Sequence, residues 1–215
     1  MFFETTTTTQ PIRRERSRVH AALSALTGIV LAVVLSYPAT VEPVEATAVP
    51  GARALAIASV ETVFDALSQC ATSMKESERW RLAGVIHQES RRYGYDPLFV
   101  EAMIEVESQC KPAARGTHGA VGLIQIRPAT ARAVAAETGM PWRGDATLRD
   151  GVSNVRLGVR YLWNLENQFD DPHIAVAAYN LGPTRVARMA RHRAQRTQYV
   201  KRVLARYQDL VEQYS

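Results

Sequence analysis

A mainly α-helical domain with one small extended element is the fold class this sequence predicts. Three observations carry the prediction. Apolar residues return at spacings of three, four and seven along most of the chain after Glu78, which is the period of a helix. Asp-Pro pairs and isolated glycines sit where those segments start and stop. Only Val121 to Ile126 has a β-like composition, and it is too short for more than a small ribbon. There is no internal repeat and no alternation of strand and helix.

The 215 residues leave room for one domain and an extension. Four arginines up to Ala46 are balanced by four acids, so the net charge of +5 belongs to the remainder. That charge suits an anionic partner without choosing among lipid, nucleic acid and acidic polymer. No Cys/His cluster has metal-ligand spacing, and neither GxxxxGK[ST] nor GxGxxG occurs. No metal and no cofactor are expected.

Met1 to Gln10 is polar and threonine-rich, and Arg13 to Arg18 is basic. Ala21 to Leu35 then runs without a charge. A basic stretch before an apolar core of this length is the pattern of a secretory signal, with Ala46-Thr-Ala48 as its cleavage site. The alternative is an uncleaved N-terminal anchor, and a buried helix is a third reading. The run is short for a span, which needs about twenty apolar residues. No lipobox-like cysteine ends it. Either favoured reading exports the chain, to the periplasm or to the outer face of the inner membrane. The expected organisation is tail and signal or anchor over residues 1–48, linker and helical lead-in over 49–77, and a domain over 78–215.

Each helix has its own signals. A first helix is expected from Val60 to Met74 and carries Cys70. A second runs from Glu78 to Tyr93, with Leu82, Val85, Ile86 and either Glu89 or Tyr93 on one face, and Gly94 stops it. Asp96 caps the third, Pro97 takes its first position, and it ends before Pro112. On that third helix Val100, Met103, Ile104 and Glu107 share a face. Glu101 and Glu105 point elsewhere and read as solvated acids. One glutamate therefore meets the core, and burial raises a carboxyl pKa towards the range a general acid needs.

Three glycines follow within seven residues, Gly116 to Gly122, and demand tight turns. His118 among them reads as a surface residue. Pro128 starts a further helix that Gly139 stops. A long helix covers Asp150 to Gln168, Asp171-Pro172 opens a short one, Pro183 opens another, and the last runs from Gln195 to Glu212. Cys70 and Cys110 form a disulfide pair in an exported chain, or else remain two small buried thiols.

Glu107-Ser108, Gly119-Ala-Val-Gly-Leu-Ile-Gln125 and Ala178-Tyr-Asn-Leu-Gly182 resemble the signature motifs of the soluble lytic transglycosylase (SLT) domain, which has a lysozyme-like fold. Pro128-Ala-Thr130-Ala, the Asn154 to Leu162 segment and Tyr199-Val200 with Val203 add to the likeness, which spans roughly Gly84 to Arg206. The resemblance implies that Glu107 is the single catalytic acid. Ser108 would support it, Gln125 would line the sugar groove, and the Tyr179 hydroxyl would approach the acid beside Asn180. Tyr199 would be an aromatic residue near the cleft. Ile124 stands where the family usually has methionine.

The implied activity is cleavage of the β-1,4 bond between N-acetylmuramic acid and N-acetylglucosamine in peptidoglycan, with closure of a 1,6-anhydro ring. The alternatives are a hydrolytic muramidase of the same fold and a non-catalytic peptidoglycan-binding module. Expected partners are peptidoglycan strands, the inner membrane, and an envelope-spanning secretion or division machinery. Nucleic acid is not expected, because the basic C-terminal segment lacks interleaved aromatics.

Overall fold

The computed structural model describes residues 58–214. The signal or anchor segment and most of the linker lie outside the described residues. None of the described helices is long and apolar enough to cross a membrane.

Among the described residues ten α-helices follow one another: α1 (Val60–Cys70), α2 (Glu76–Tyr93), α3 (Pro97–Ser108), α4 (Pro128–Thr138), α5 (Asp145–Arg149), α6 (Gly151–Phe169), α7 (Pro172–Leu181), α8 (Pro183–Val186), α9 (Arg191–Ala194) and α10 (Gln198–Tyr214). Their starts have local causes. The Asp96 carboxylate accepts from the Leu98 N–H at 2.8 Å, Asp150 from Ser153 at 3.0 Å and Asp171 from Ile174 at 3.0 Å. Each side chain satisfies a donor that the helix leaves without a partner. Gly94 and Gly139 end α2 and α4 in the left-handed region.

The extended element is smaller than a ribbon. Between α3 and α4 the chain makes a one-turn 3₁₀ helix at Thr117–Gly119 and two isolated antiparallel bridges, Arg115 to Val121 and Val121 to Ile126. No longer strand forms among the described residues.

Helix α3 lies at the centre, packed against α1, α2 and α10. The long α6 packs on α2, α4, α5 and α7. Val63, Leu67, Ile86, Val100, Met103, Ile104, Val155 and Val159 meet in the main core. Val121, Ile126, Val134, Leu148 and Leu157 form a smaller one beneath the glycine-rich segment.

The central position of α3 corrects one expectation. Every residue from Pro97 to Ile104 is buried, and Glu101 is 0% exposed rather than solvated. The single-face reading assumes one packing partner, whereas α3 has three. Glu101 Oε2 has no hydrogen-bond partner, and burial, helped by the charge of Glu105, pushes its carboxyl well above the usual range. Glu105 is half-buried and ion-paired with Arg206, at 2.6 Å to Nε and 3.0 Å to Nη2.

Cys70 and Cys110 are joined by a disulfide, with Cα atoms 5.7 Å apart. It ties the end of α1 to the turn after α3. Glu101 Oε1 lies 3.5 Å from the Cys70 sulfur and 3.7 Å from that of Cys110. The three groups have ligand-type atoms within 4.8 Å of one another. With the sulfurs bonded to each other, no thiolate is left to hold a cation.

Candidate active site

Helix α3 delivers Glu107 in its last turn, half-buried, while the apolar side chains before it hold the helix in the core. Tyr199, near the start of α10, donates its hydroxyl to Glu107 Oε1 at 2.6 Å. Burial pushes the Glu107 carboxyl up to about 7; the Tyr199 hydrogen bond and the Arg202 cation pull the other way. Desolvation wins because the carboxylate has exchanged most of its water for one hydroxyl and a cation at a distance. A carboxyl in this range holds its proton near neutral pH and can also release it.

Two residues of α6 hold the glycine-rich segment in place. Asn154 is fully buried. Its Oδ1 accepts from the Ile124 N–H at 2.9 Å, and its Nδ2 donates to the Val121 carbonyl at 3.0 Å. Gly158, one turn on, is a close-approach position. A Cβ there would lie 2.1 Å from Ile124 Cγ2 and 2.9 Å from the Tyr179 hydroxyl. Gly122 has φ +88°, and a Cβ there would collide with Asn154.

Tyr179 departs from its expected role. Its hydroxyl donates to the Ile124 carbonyl at 2.9 Å rather than to the acid. Tyr179 leaves α7 towards α6, where the missing side chain of Gly158 makes room for it and the Tyr161 ring packs 5.3 Å away. It still senses the charge of Glu107, which together with burial holds its hydroxyl in the neutral form. The hydrogen bond to the acid comes from Tyr199, which the motif resemblance placed only near the cleft.

The remaining expected residues divide. The Ser108 hydroxyl donates to the Ile104 carbonyl at 3.1 Å within α3. Gln125 adopts φ 49° and donates its amide to the Gly122 and Ala114 carbonyls at 2.8 and 3.1 Å, which braces the loop from inside. Asn180 is exposed, and so is His118 in the 3₁₀ turn. Glu107 is also not alone as a buried acid. Glu89 is 3% exposed, with Arg156 at 3.2 Å and Arg92 at 3.8 Å. Glu89, Glu101 and Glu105 thus each have close neighbours other than Glu107: arginines for Glu89 and Glu105, the disulfide sulfurs for Glu101. Asn154 entered the sequence reading only as the start of a matching segment, and its clamp on the glycine-rich segment is the role that reading missed. The signal was there: a lone amide next to Val155, one turn before Gly158, on the buried side of a long helix.

The family model described as the transglycosylase SLT domain matches residues 84–201. The chain belongs to that family. Its SLT domain is 33% identical over 91 residues to a putative soluble lytic murein transglycosylase of Haemophilus influenzae, covering 42% of this chain and 15% of that protein. It is 32% identical over 117 residues to membrane-bound lytic murein transglycosylase C of Mannheimia succiniciproducens, covering 49% and 32%. Among solved structures it is similar to lytic transglycosylase Slt of Pseudomonas aeruginosa, an inactive mutant, with TM-score 0.54 and 27% identity over 60% of this chain and 24% of that one. The 70 kDa soluble lytic transglycosylase of Escherichia coli shares the fold, at TM-score 0.54 and 22% identity over 71% and 29%. The SLT-domain chain thus spans a third or less of the first curated relatives it matches.

Proposed function

We propose that this SLT-domain protein is an exported peptidoglycan lytic transglycosylase, and that Glu107 is its single acid and base. The observation that carries the reading is a half-buried carboxyl with a pKa near 7, held by one tyrosine hydroxyl at 2.6 Å. Glu107 protonates the glycosidic oxygen between N-acetylmuramic acid and N-acetylglucosamine as positive charge develops at the sugar carbon. The resulting carboxylate takes the proton of the muramyl C6 hydroxyl, whose oxygen closes the 1,6-anhydro ring. The acid is restored without external water.

A retaining hydrolase uses a second carboxylate about 5 Å from the first as its nucleophile. The neighbouring acids fill other roles: Glu89 is paired to arginines, Glu101 lies against the disulfide and Glu105 is held by Arg206. This supports the transglycosylase over the hydrolytic muramidase. A module that only binds glycan has no use for an acid tuned to neutrality. Tyr199 orients the acid, Gln125 and Ser108 fix its surroundings, Asn180 meets the sugar, and Tyr179 fixes the loop. The membrane-bound relative and the N-terminal apolar run support an envelope location.

Digestion of purified sacculi, followed by mass spectrometry, tests the reaction. Muropeptides ending in 1,6-anhydromuramic acid are expected. Products ending only in reducing muramic acid would assign the chain to the muramidases instead.

Tyr199→Phe tests the geometry. Losing one hydrogen bond to the acid is expected to lower kcat roughly tenfold. The bond favours the charged carboxylate, so its loss raises the Glu107 pKa, and the alkaline limb of the pH–rate profile moves to higher pH. An unmoved limb would mean that Tyr199 does not act on the acid.

A further inference from the structure

One cation at the site is left over by the mechanism. Arg202 follows Tyr199 by three residues on α10, so the two side chains are neighbours on the helix surface. Tyr199 touches Glu107, and the charge of Arg202 reaches both Glu107 and Tyr199. Arg202 is exposed. Two arginines flanking it in sequence have anionic partners, Arg191 with Asp171 at 3.1 Å and Arg206 with Glu105 and Asp209; what sets Arg202 apart from the exposed arginines without an ion pair is its place one turn from Tyr199. Arg202 has no ion pair among the described residues.

Its surroundings are of one sign. No acid occurs between Asp171 and Asp209, while Arg185, Arg188, Arg193, Arg196 and Lys201 are all exposed. A field of this kind concentrates anions at the rim of the site. A bare guanidinium whose charge reaches an acid that must keep its proton works against catalysis, since it favours the carboxylate. The opposition disappears when the guanidinium has its own anion.

We propose that Arg202 is the subsite for a carboxylate of the peptides carried by the glycan strand, so that the enzyme prefers peptide-bearing strands to bare glycan. This rests on the peptidoglycan reading above and adds the specificity of the same site. A bidentate guanidinium–carboxylate pair fixes the strand by a charged branch rather than by a sugar. Pairing also removes the pull of Arg202 on Glu107. The other groups that act on the acid, Tyr199 of α10 and Tyr179 of α7, are neutral hydroxyls whose ionisation burial suppresses. Glu107 is therefore a stronger proton holder in the complex than in the free enzyme.

The test uses the full chain carrying Glu107→Gln, which binds without turnover, with Arg202 intact or changed to Gln or Lys. Binding is measured on purified sacculi and on the same material stripped of peptides by an amidase, with the lactyl carboxylate that this hydrolysis leaves on the glycan converted to a neutral amide. Arg202→Gln is expected to weaken binding to peptide-bearing sacculi about fivefold and to leave stripped sacculi unaffected. Arg202→Lys recovers part of the loss, and 0.5 M salt removes the difference, a concentration at which the Debye length is only about 4–5 Å. In the active enzyme Arg202→Gln raises KM on peptide-bearing strands more than it lowers kcat. Equal losses on both substrates, or none on either, overturn the proposal. So does Arg202-dependent binding to vesicles of phosphatidylglycerol and phosphatidylcholine with no effect of peptide removal, which would make the surface a lipid contact. Because the binding assay involves no turnover, reducing-end products in the digest would sink the transglycosylase reading and leave the subsite standing.

Discussion

Glu107→Gln is expected to lower kcat by about 10³-fold, within the range that general acid–base catalysis supplies, and at the same time to make the protein harder to unfold above neutral pH. The second effect follows from the pKa. In the folded chain burial raises the carboxyl to about 7, against an ordinary value near 4.3 when unfolded. Between those values the folded state binds a proton that the unfolded state does not. The native contribution is complete below pH 4, declines as pH rises, and is gone above 7. By pH 8 the buried carboxylate costs about 3 kcal/mol relative to a neutral side chain. Gln keeps the shape and an acceptor for the Tyr199 hydroxyl but never charges. Variant and parent should melt together at pH 4, and by pH 8 the variant should lead by several degrees. A gap independent of pH would place the effect elsewhere than in the Glu107 proton.

Asn154→Ala should be the most damaging change away from the acid. It leaves the Ile124 N–H without its side-chain acceptor and the Val121 carbonyl without its donor in a fully buried place. Each buried group left unsatisfied costs about 1–3 kcal/mol, so a loss of about 2–5 kcal/mol is expected in urea unfolding. Activity should fall even well below the melting temperature. The segment that Asn154 clamps carries Gln125 and the carbonyl that receives Tyr179. A loss under 1 kcal/mol with normal turnover would show that the bridges hold the segment without Asn154.

Much of this arrangement is legible in the sequence, for local reasons. Asp96, Asp150 and Asp171 announce helix starts because the cap is made within three residues. Gly94 and Gly139 announce ends because left-handed backbone suits glycine. Glu107 is legible because it closes an apolar stripe. What fails depends on distant neighbours. Glu101 looks like a surface acid until α1 and α10 cover the far side of α3. Tyr179 looks like the partner of the acid until Gly158 opens a place for it beside Ile124. The last helix starts at Gln198, three residues later than expected, because the Thr197 hydroxyl accepts from the Val200 N–H at 3.3 Å and α9 closes separately before it. The first stops at Cys70, four residues early, where the chain turns to meet Cys110.

The covalent tie between Cys70 and Cys110 also decides how this protein can be dissected. The family match begins at residue 84, fourteen residues past the first sulfur. A recombinant fragment trimmed to that boundary would leave Cys110 as an orphan thiol against Glu101, and would uncover the core that Val63, Ala66 and Leu67 now roof. A fragment that keeps the disulfide, this roof and the cap of α1 by the Ser59 hydroxyl starts no later than Ser59.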